Sequence, residues 1–210
     1  MDISLVGFSR SLVAFMAILN PFALSLYLAG LMDELDRKQF FSVLLQASLI
    51  SSAVFFLFAW CGEPLLVDFL AVEPSALRVF GGLIFVIVAY NYVTQGYKAT
   101  VFLRGDLEGL PSSIALPFMI GAGTITQAIL TGKRHNTDSA FIIIACAIVL
   151  SFLIVAAFKI TRDHMSGPRE RVFQRYVNIL ARLNGLIIGA ISIDMIAEGL
   201  RQLWLRPIGN

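Results

Sequence analysis

The sequence predicts an all-α integral membrane fold: six transmembrane helices arranged as two inverted three-helix repeats, with spans one and four broken in mid-membrane. Three observations carry that expectation. Charged residues make up only 14% of the 210-residue chain and hydrophobic ones 58%, against roughly 25% charged in an ordinary soluble domain. No Asp, Glu, Lys or Arg occurs in residues 11–32, 39–62, 79–97, 109–132 or 139–158. A bilayer core of about 30 Å takes roughly 20 helical residues to cross, so each block is of spanning length, whereas a barrel strand needs only about 10 alternating residues. Helix breakers, finally, sit inside the first and fourth blocks, at Pro21 and Pro117.

Span one follows Met1-Asp2-Ile3, which lacks the basic region of a signal peptide, so the block is expected to be retained. Its Asn20-Pro21 step removes a backbone donor and bends the chain, freeing carbonyls near the bilayer centre. Span two, residues 39–62, contains Gln46 as a cavity candidate and ends at Cys61. Span three opens on Arg78-Val79-Phe80-Gly81 and carries Asn91 at depth. Span four holds Pro117 and then Gly121-Ala122-Gly123-Thr124-Ile125-Thr126-Gln127, where glycine lets the backbone unwind and hydroxyls bond what is freed. Span five is almost featureless and expected to face lipid, with Cys146 as a buried apolar residue. Span six, residues 176–200, is apolar apart from Arg182, Asp194 and Glu198, and each charge at membrane depth costs on the order of 3 kcal/mol unless paired or hydrated.

Arg182-Leu183-Asn184-Gly185 echoes Arg78-Val79-Phe80-Gly81 at an offset of 104 residues, about half the chain. Two halves of three spans each follow, and an odd number of spans makes the second half enter from the opposite side. The organisation is one membrane domain over residues 1–210: repeat one 1–97, a cytoplasmic connector 98–109, and repeat two 110–210. With the amino terminus outside, the connecting segments on the cytoplasmic side hold nine basic residues and the opposite side five. The positive-inside rule then places both termini outside.

Enzyme readings find no footing. His135 and His164 lie in hydrophilic segments with no nucleophile or carboxylate at catalytic spacing, so a general base or metal-ligand set is lacking. No phosphate-binding Gly-x-x-x-x-Gly-Lys-Ser/Thr stretch occurs. The expectation is no catalytic residue, no cofactor, no metal and no nucleic-acid partner.

Several segments in order resemble the MarC family of bacterial and archaeal membrane proteins. They are Asn20-Pro21, Gly62-Glu63-Pro64-Leu65-Leu66, Ala76-Leu77-Arg78-Val79-Phe80-Gly81-Gly82, Ile114-Ala115-Leu116-Pro117 leading into Gly121-Ala122-Gly123, and Arg182-Leu183-Asn184-Gly185. The resemblance implies six spans in the cytoplasmic (inner) membrane, inverted repeats with discontinuous spans one and four, and kinship with LysE-type amino-acid exporters. It also implies cargo such as alanine or glycine. Ala122 and Ser113 stand where the family pattern has proline, and Asp194 where it has an amide.

For a small zwitterion held between the broken spans, the carboxylate is expected at backbone N–H groups that start a half-helix, a task that suits Gly121, Gly123 and Thr124. The ammonium is expected at the Asn20 side chain and the carbonyls freed upstream of Pro21, with Thr126 and Gln127 completing the lining. Asp194 and Asn91 are the candidates for coupling to H+ or Na+. Partners are therefore a small-molecule substrate and the lipid bilayer, with a homo-oligomer allowed. Two functions stay open: a secondary transporter or exporter of small neutral amino acids or similar polar metabolites, or a non-transporting membrane protein that organises or regulates a partner.

Overall fold

A computed structural model describes residues 5–62, 64–69, 71–96, 109–165 and 167–205, without the side chains of Pro117, Pro168 and Arg169. The expected connector 98–109, with Lys98 and Arg104, lies outside the described residues except for Gly109, as does the extreme amino terminus. Among the described residues every regular element is helical. Five stretches are long and apolar enough to cross a membrane: Leu5–Glu34, Arg37–Cys61, Pro74–Gln95, Thr137–Asp163 and Glu170–Trp204. The fourth expected span is missing from that set because its helix is interrupted.

The first stretch is three helices in line: α1 (Leu5–Leu19), α2 (Pro21–Tyr27) and α3 (Ala29–Glu34). Between α1 and α2, Asn20 adopts the left-handed conformation, φ 44° and ψ 72°. A residue before proline is pushed out of the right-handed helical region, and asparagine is among the few that tolerate the left-handed one. The expected fourth span is broken by the same chemistry. Helix α6 (Leu110–Ile114) runs into a π-helical turn, Ala115–Met119, and helix α7 starts only at Ala122 and runs to Arg134. Leu116, before Pro117, is extended at φ −113° and ψ 123°, and Ile120 and Gly121 are extended too.

Two short connections reverse the chain. Leu35 and Asp36 join α3 to α4 (Arg37–Cys61), where Asp36 Oδ1 accepts from the Gln39 N–H at 2.8 Å and Gln39 Oε1 accepts from the Asp36 N–H at 3.3 Å, a reciprocal cap. His135 and Asn136 join α7 to α8 (Thr137–Asp163), where Asn136 Oδ1 accepts from the Ser139 N–H at 3.1 Å. Ser11, early in α1, lies 2.8 Å from His135 Nε2 just after α7, so α1 and α7 run in opposite directions. The remaining long helices, α5 (Pro74–Gln95) and α9 (Pro168–Trp204), lie antiparallel along one another. Gly82 packs on Ser192 and Ile196, Gly185 on Ala89 and Tyr92, and Gly199 on Ser75 and Val79, a small-residue crossing of the kind that joins membrane helices. The α5–α9 pair meets the rest of the molecule through α2 and α7. Its outer face, with Phe80, Tyr90, Leu186 and Ile193, is exposed, as suits contact with lipid chains.

At the end of the molecule where α3 meets α4, two cations of α8 turn inward. Lys159 Nζ donates to the carbonyls of Met32 at 2.7 Å and Leu35 at 3.0 Å and pairs with Asp163 at 2.8 Å. Arg162 bonds the Ala29 carbonyl and the Asp33 carboxylate. The last carbonyls of α3 have no helical donors of their own, and a cation there also meets the negative end of the helix dipole. Lys159→Met should therefore lower stability by about 1–3 kcal/mol by orphaning two carbonyls, while Asp163 keeps Arg37 at 3.1 Å. Thermal unfolding in detergent measures the effect, and an unchanged midpoint would mean that water replaces the amine.

Candidate functional site

The two helix interruptions meet at one cavity of about 400 Å³. Ala17, Ile18, Leu19 and Asn20 reach it from the end of α1, Ala23 and Tyr27 from α2, and Gly121, Gly123 and Thr124 from the start of α7. Contact between the two breaks is close: a Cβ placed on Gly123 would stand 3.2 Å from Ile18 Cγ2. A second wall comes from the α5–α9 pair, through Phe85, Ile188, Ile191 and Met195.

The polar groups at the breaks divide by sign. Asn20 N–H donates to the Met16 carbonyl at 2.9 Å, and Asn20 Oδ1 accepts from the Ala23 N–H at 3.1 Å. Asn20 is thus the N-cap of α2, and one lone pair of its oxygen is committed. Pro21 has no N–H to offer, and the carbonyls of Ala17, Ile18 and Leu19 at the end of α1 have no donor among the described residues. Across the cavity, Gly121 N–H donates to Thr124 Oγ1 at 2.8 Å, and that hydroxyl donates to the Met119 carbonyl at 2.9 Å. The N–H groups of Ala122, Gly123 and Thr124 open the first turn of α7 and have no acceptor among the described residues. Carbonyl ends carry partial negative charge and amide ends partial positive charge, so one cavity is flanked by both.

Of the candidate residues, Asn20, Gly121, Gly123 and Thr124 line this cavity. Pro21 is buried at the start of α2 and lies outside the lining. Thr126 Oγ1 donates to the Ala122 carbonyl at 2.8 Å, the local bond that threonine commonly makes in a helix. Gln127 is buried away from the lining, and its Nε2 has no partner among the described residues. Asn91 is satisfied within α5, donating to the Ile87 carbonyl at 2.9 Å and accepting from Gln95 at 3.1 Å. Asp194 is exposed on α9, outside the lining, with no hydrogen bond or ion pair among the described residues. Gln46 is exposed and bonds Ser42 at 3.2 Å. Sequence reasoning missed the apolar wall and Tyr27, because an aromatic or aliphatic residue inside an apolar helix carries no mark of what it faces.

Asn20 offers a direct check on the break. Asn20→Gly keeps the left-handed conformation and should cost a few tenths of a kcal/mol, whereas Asn20→Ala loses the cap and adds backbone strain, about 2 kcal/mol together. Thermal unfolding of the two variants gives the order, and equal losses would sink the capping role.

Residues 5–204 match the MarC family integral membrane protein pattern. A UPF0056 membrane protein of Aquifex aeolicus is 28% identical over 207 residues, covering 94% of each chain. A UPF0056 membrane protein of Methanocaldococcus jannaschii is 24% identical over 192 residues, covering 88% of this chain and 91% of the relative. The UPF0056 inner membrane protein MarC of Escherichia coli (strain K12) is 25% identical over 209 residues, covering 91% of this chain and 93% of the relative. No solved structure matches the chain at a significant level.

Proposed function

The chain belongs to the MarC family of integral membrane proteins, and from that premise we propose that it is a secondary transporter or exporter of small neutral amino acids in the cytoplasmic membrane. The observation that carries this reading is the cavity between two helix interruptions, with carbonyls at the end of α1 and N–H groups at the start of α7 that have no partner among the described residues. A zwitterion needs both. Its ammonium donates to the Ala17–Leu19 carbonyls and to the remaining lone pair of Asn20 Oδ1, and its carboxylate accepts from the first-turn N–H groups of α7. Interrupted helices whose ends face a cavity are the transporter form of an ion site at a helix terminus. A closed span interface would favour an organising role, whereas this cavity reaches both breaks.

The same reading includes six membrane passes in two inverted halves, with residues 110–134 as the fourth pass and both termini outside. It is supported by the pairing of elements: α1 packs against α8 as α7 packs against α4, and α2 touches α9 as α5 touches α7. The caps Asp36 and Asn136 recur at the matching reversals. A periplasm-active phosphatase fused after Asn210 should be active and a cytoplasmic fluorescent reporter dark, and the reverse pattern would overturn the orientation.

Proteoliposome uptake and efflux of labelled alanine, glycine and longer neutral amino acids tests the activity, with gradient-driven accumulation as the expected result. Failure to move any of them, with the protein shown folded and inserted, would overturn the reading in favour of an organising role. Coupling is proposed at Asp194, an intramembrane carboxylate without a cation partner among the described residues, since Asn91 is satisfied within its own helix. Asp194→Asn should flatten the pH dependence of transport while transport persists; an unchanged pH profile would remove Asp194 from the mechanism.

A further inference from the structure

The lining of the cavity changes character away from the breaks. Asn20 and Thr124 stand at the breaks, and apart from the Tyr27 hydroxyl every other side chain of the lining, among the described residues, is apolar. Met195 of α9 marks the same end: a Cβ on Gly81 would stand 3.6 Å from Met195 Cε and 3.5 Å from the Cβ of Ala122 in the first turn of α7. From there the wall continues through Ile191 and Ile188, spaced four and three residues apart and so on one helix face. Opposite them, Tyr27 closes α2 about 10 Å along the axis from Asn20, its ring centroid 4.9 Å from those of Tyr92 and Phe118. Both tyrosine hydroxyls have polar neighbours of their own. Tyr92 donates to the Tyr27 carbonyl at 2.9 Å, and the Tyr27 hydroxyl lies beside the side chain of Asn184, which is outside the lining. Beyond the breaks the cavity is therefore an apolar pocket bounded by the rings of Tyr27, Phe85 and Phe118.

We propose that this pocket receives the cargo's side chain and selects neutral amino acids whose side chain is long and apolar, such as methionine or leucine. The inference rests on the amino-acid reading of the same cavity, and it moves the preferred cargo from alanine and glycine to longer apolar members of the neutral class. With ammonium and carboxylate held at the breaks, the side chain extends along the Ile191–Ile188 wall toward the rings. A cavity of about 400 Å³ suits ligands well above alanine in size, and alanine's methyl group would leave the pocket unfilled. Each further methylene buried against apolar walls tightens binding by about tenfold or more, and a thioether also meets ring edges favourably. Glutamine, of similar length to methionine, would bring an amide into apolar surroundings and lose its water without replacement.

Thermal stabilisation of the purified protein in detergent, titrated with methionine, glutamine and alanine, tests the pocket. Methionine should bind the unmodified protein about tenfold more tightly than either of the others. Ile188 is half-buried and lines the pocket, so Ile188→Phe fills part of it and should shrink the advantage of methionine over alanine. Equal or tighter binding of glutamine or alanine to the unmodified protein overturns the inference, whatever the folding of the variant. So does a methionine preference undiminished in Ile188→Phe. If methionine, glutamine and alanine all fail to bind, the amino-acid reading itself falls and the side-chain pocket with it; binding of all three in the wrong order removes the pocket alone.

Discussion

Gly123→Val is expected to abolish transport while the protein is still made and inserted in normal amounts. Gly123 is the second residue of α7, where its N–H is among the unmatched donors that face the end of α1. A single Cβ there already stands 3.2 Å from Ile18 Cγ2, tighter than ordinary contact, and the two methyl groups of valine project further into the gap. Under the proposed function, a substrate carboxylate would then lose the approach to the Gly123 and Thr124 N–H groups. Each hydrogen bond to a charged group is worth about 1.5–3 kcal/mol, so loss of even one predicts a drop of roughly tenfold or more. Gly123→Ala should fall between valine and the unmodified protein, because Ile18 can give by a few tenths of an ångström. Transport at full rate in the valine variant would mean that substrate binds elsewhere.

Gly132→Val should have the opposite signature, with loss of folded protein before any question of activity arises. A Cβ on Gly132 would fall 1.9 Å from the Ala59 carbonyl oxygen, 2.7 Å from its carbon and 3.0 Å from its Cα. All three are backbone atoms of α4, so no side chain can rotate away. The helices α4 and α7 would have to separate at this point, and the cost should reach or exceed the upper part of the ~1–3 kcal/mol range seen for overpacked cores. Gly189→Ala is the control, since its Cβ would meet only Ala89 Cβ at an ordinary 3.4 Å. Size-exclusion profiles and thermal midpoints in detergent should separate the two clearly. A monodisperse, normally stable Gly132→Val protein would show that the α4–α7 contact is looser than described.

Much of the architecture was legible because the bilayer demands long apolar runs, and such runs can be read directly from where the charges stop. Helix ends were less legible, for the same reason. The last helix starts at Pro168, well before the apolar run at residue 176, because a charged helical extension outside the bilayer breaks no rule of burial. Lys159 and Arg162 read as residues of a basic cytoplasmic segment, yet both are buried against the end of α3, a position set by tertiary packing alone. Both breaks were visible through Pro21, Pro117 and the glycines at 121 and 123, and the expectation that Asn20 meets Gly121 and Gly123 came from the matching places that the sequence reading gives them in two halves. Which groups at the breaks remain free was not visible. Thr124 satisfies Gly121 N–H and Asn20 satisfies Ala23 N–H, so the unmatched partners move to neighbouring backbone.

The close antiparallel pairing of α5 with α9 has a mechanical consequence. Glycine contacts along their length make the two helices a stiff lever, while the hairpins and the Lys159 clasp tie α1–α4, α7 and α8 into a separate frame. Ile188, Ile191 and Met195 belong to the lever, and Ile18, Asn20 and Gly123 to the frame, so the cavity is the seam between them. A tilt of the lever against the frame would change the width of that seam without breaking a hydrogen bond within either part, and its pivot would be where the Tyr92 hydroxyl donates across the seam to the Tyr27 carbonyl at 2.9 Å. Cross-linking a cysteine pair across the seam, such as Ile18→Cys with Ile191→Cys, would stop that tilt and leave both parts folded.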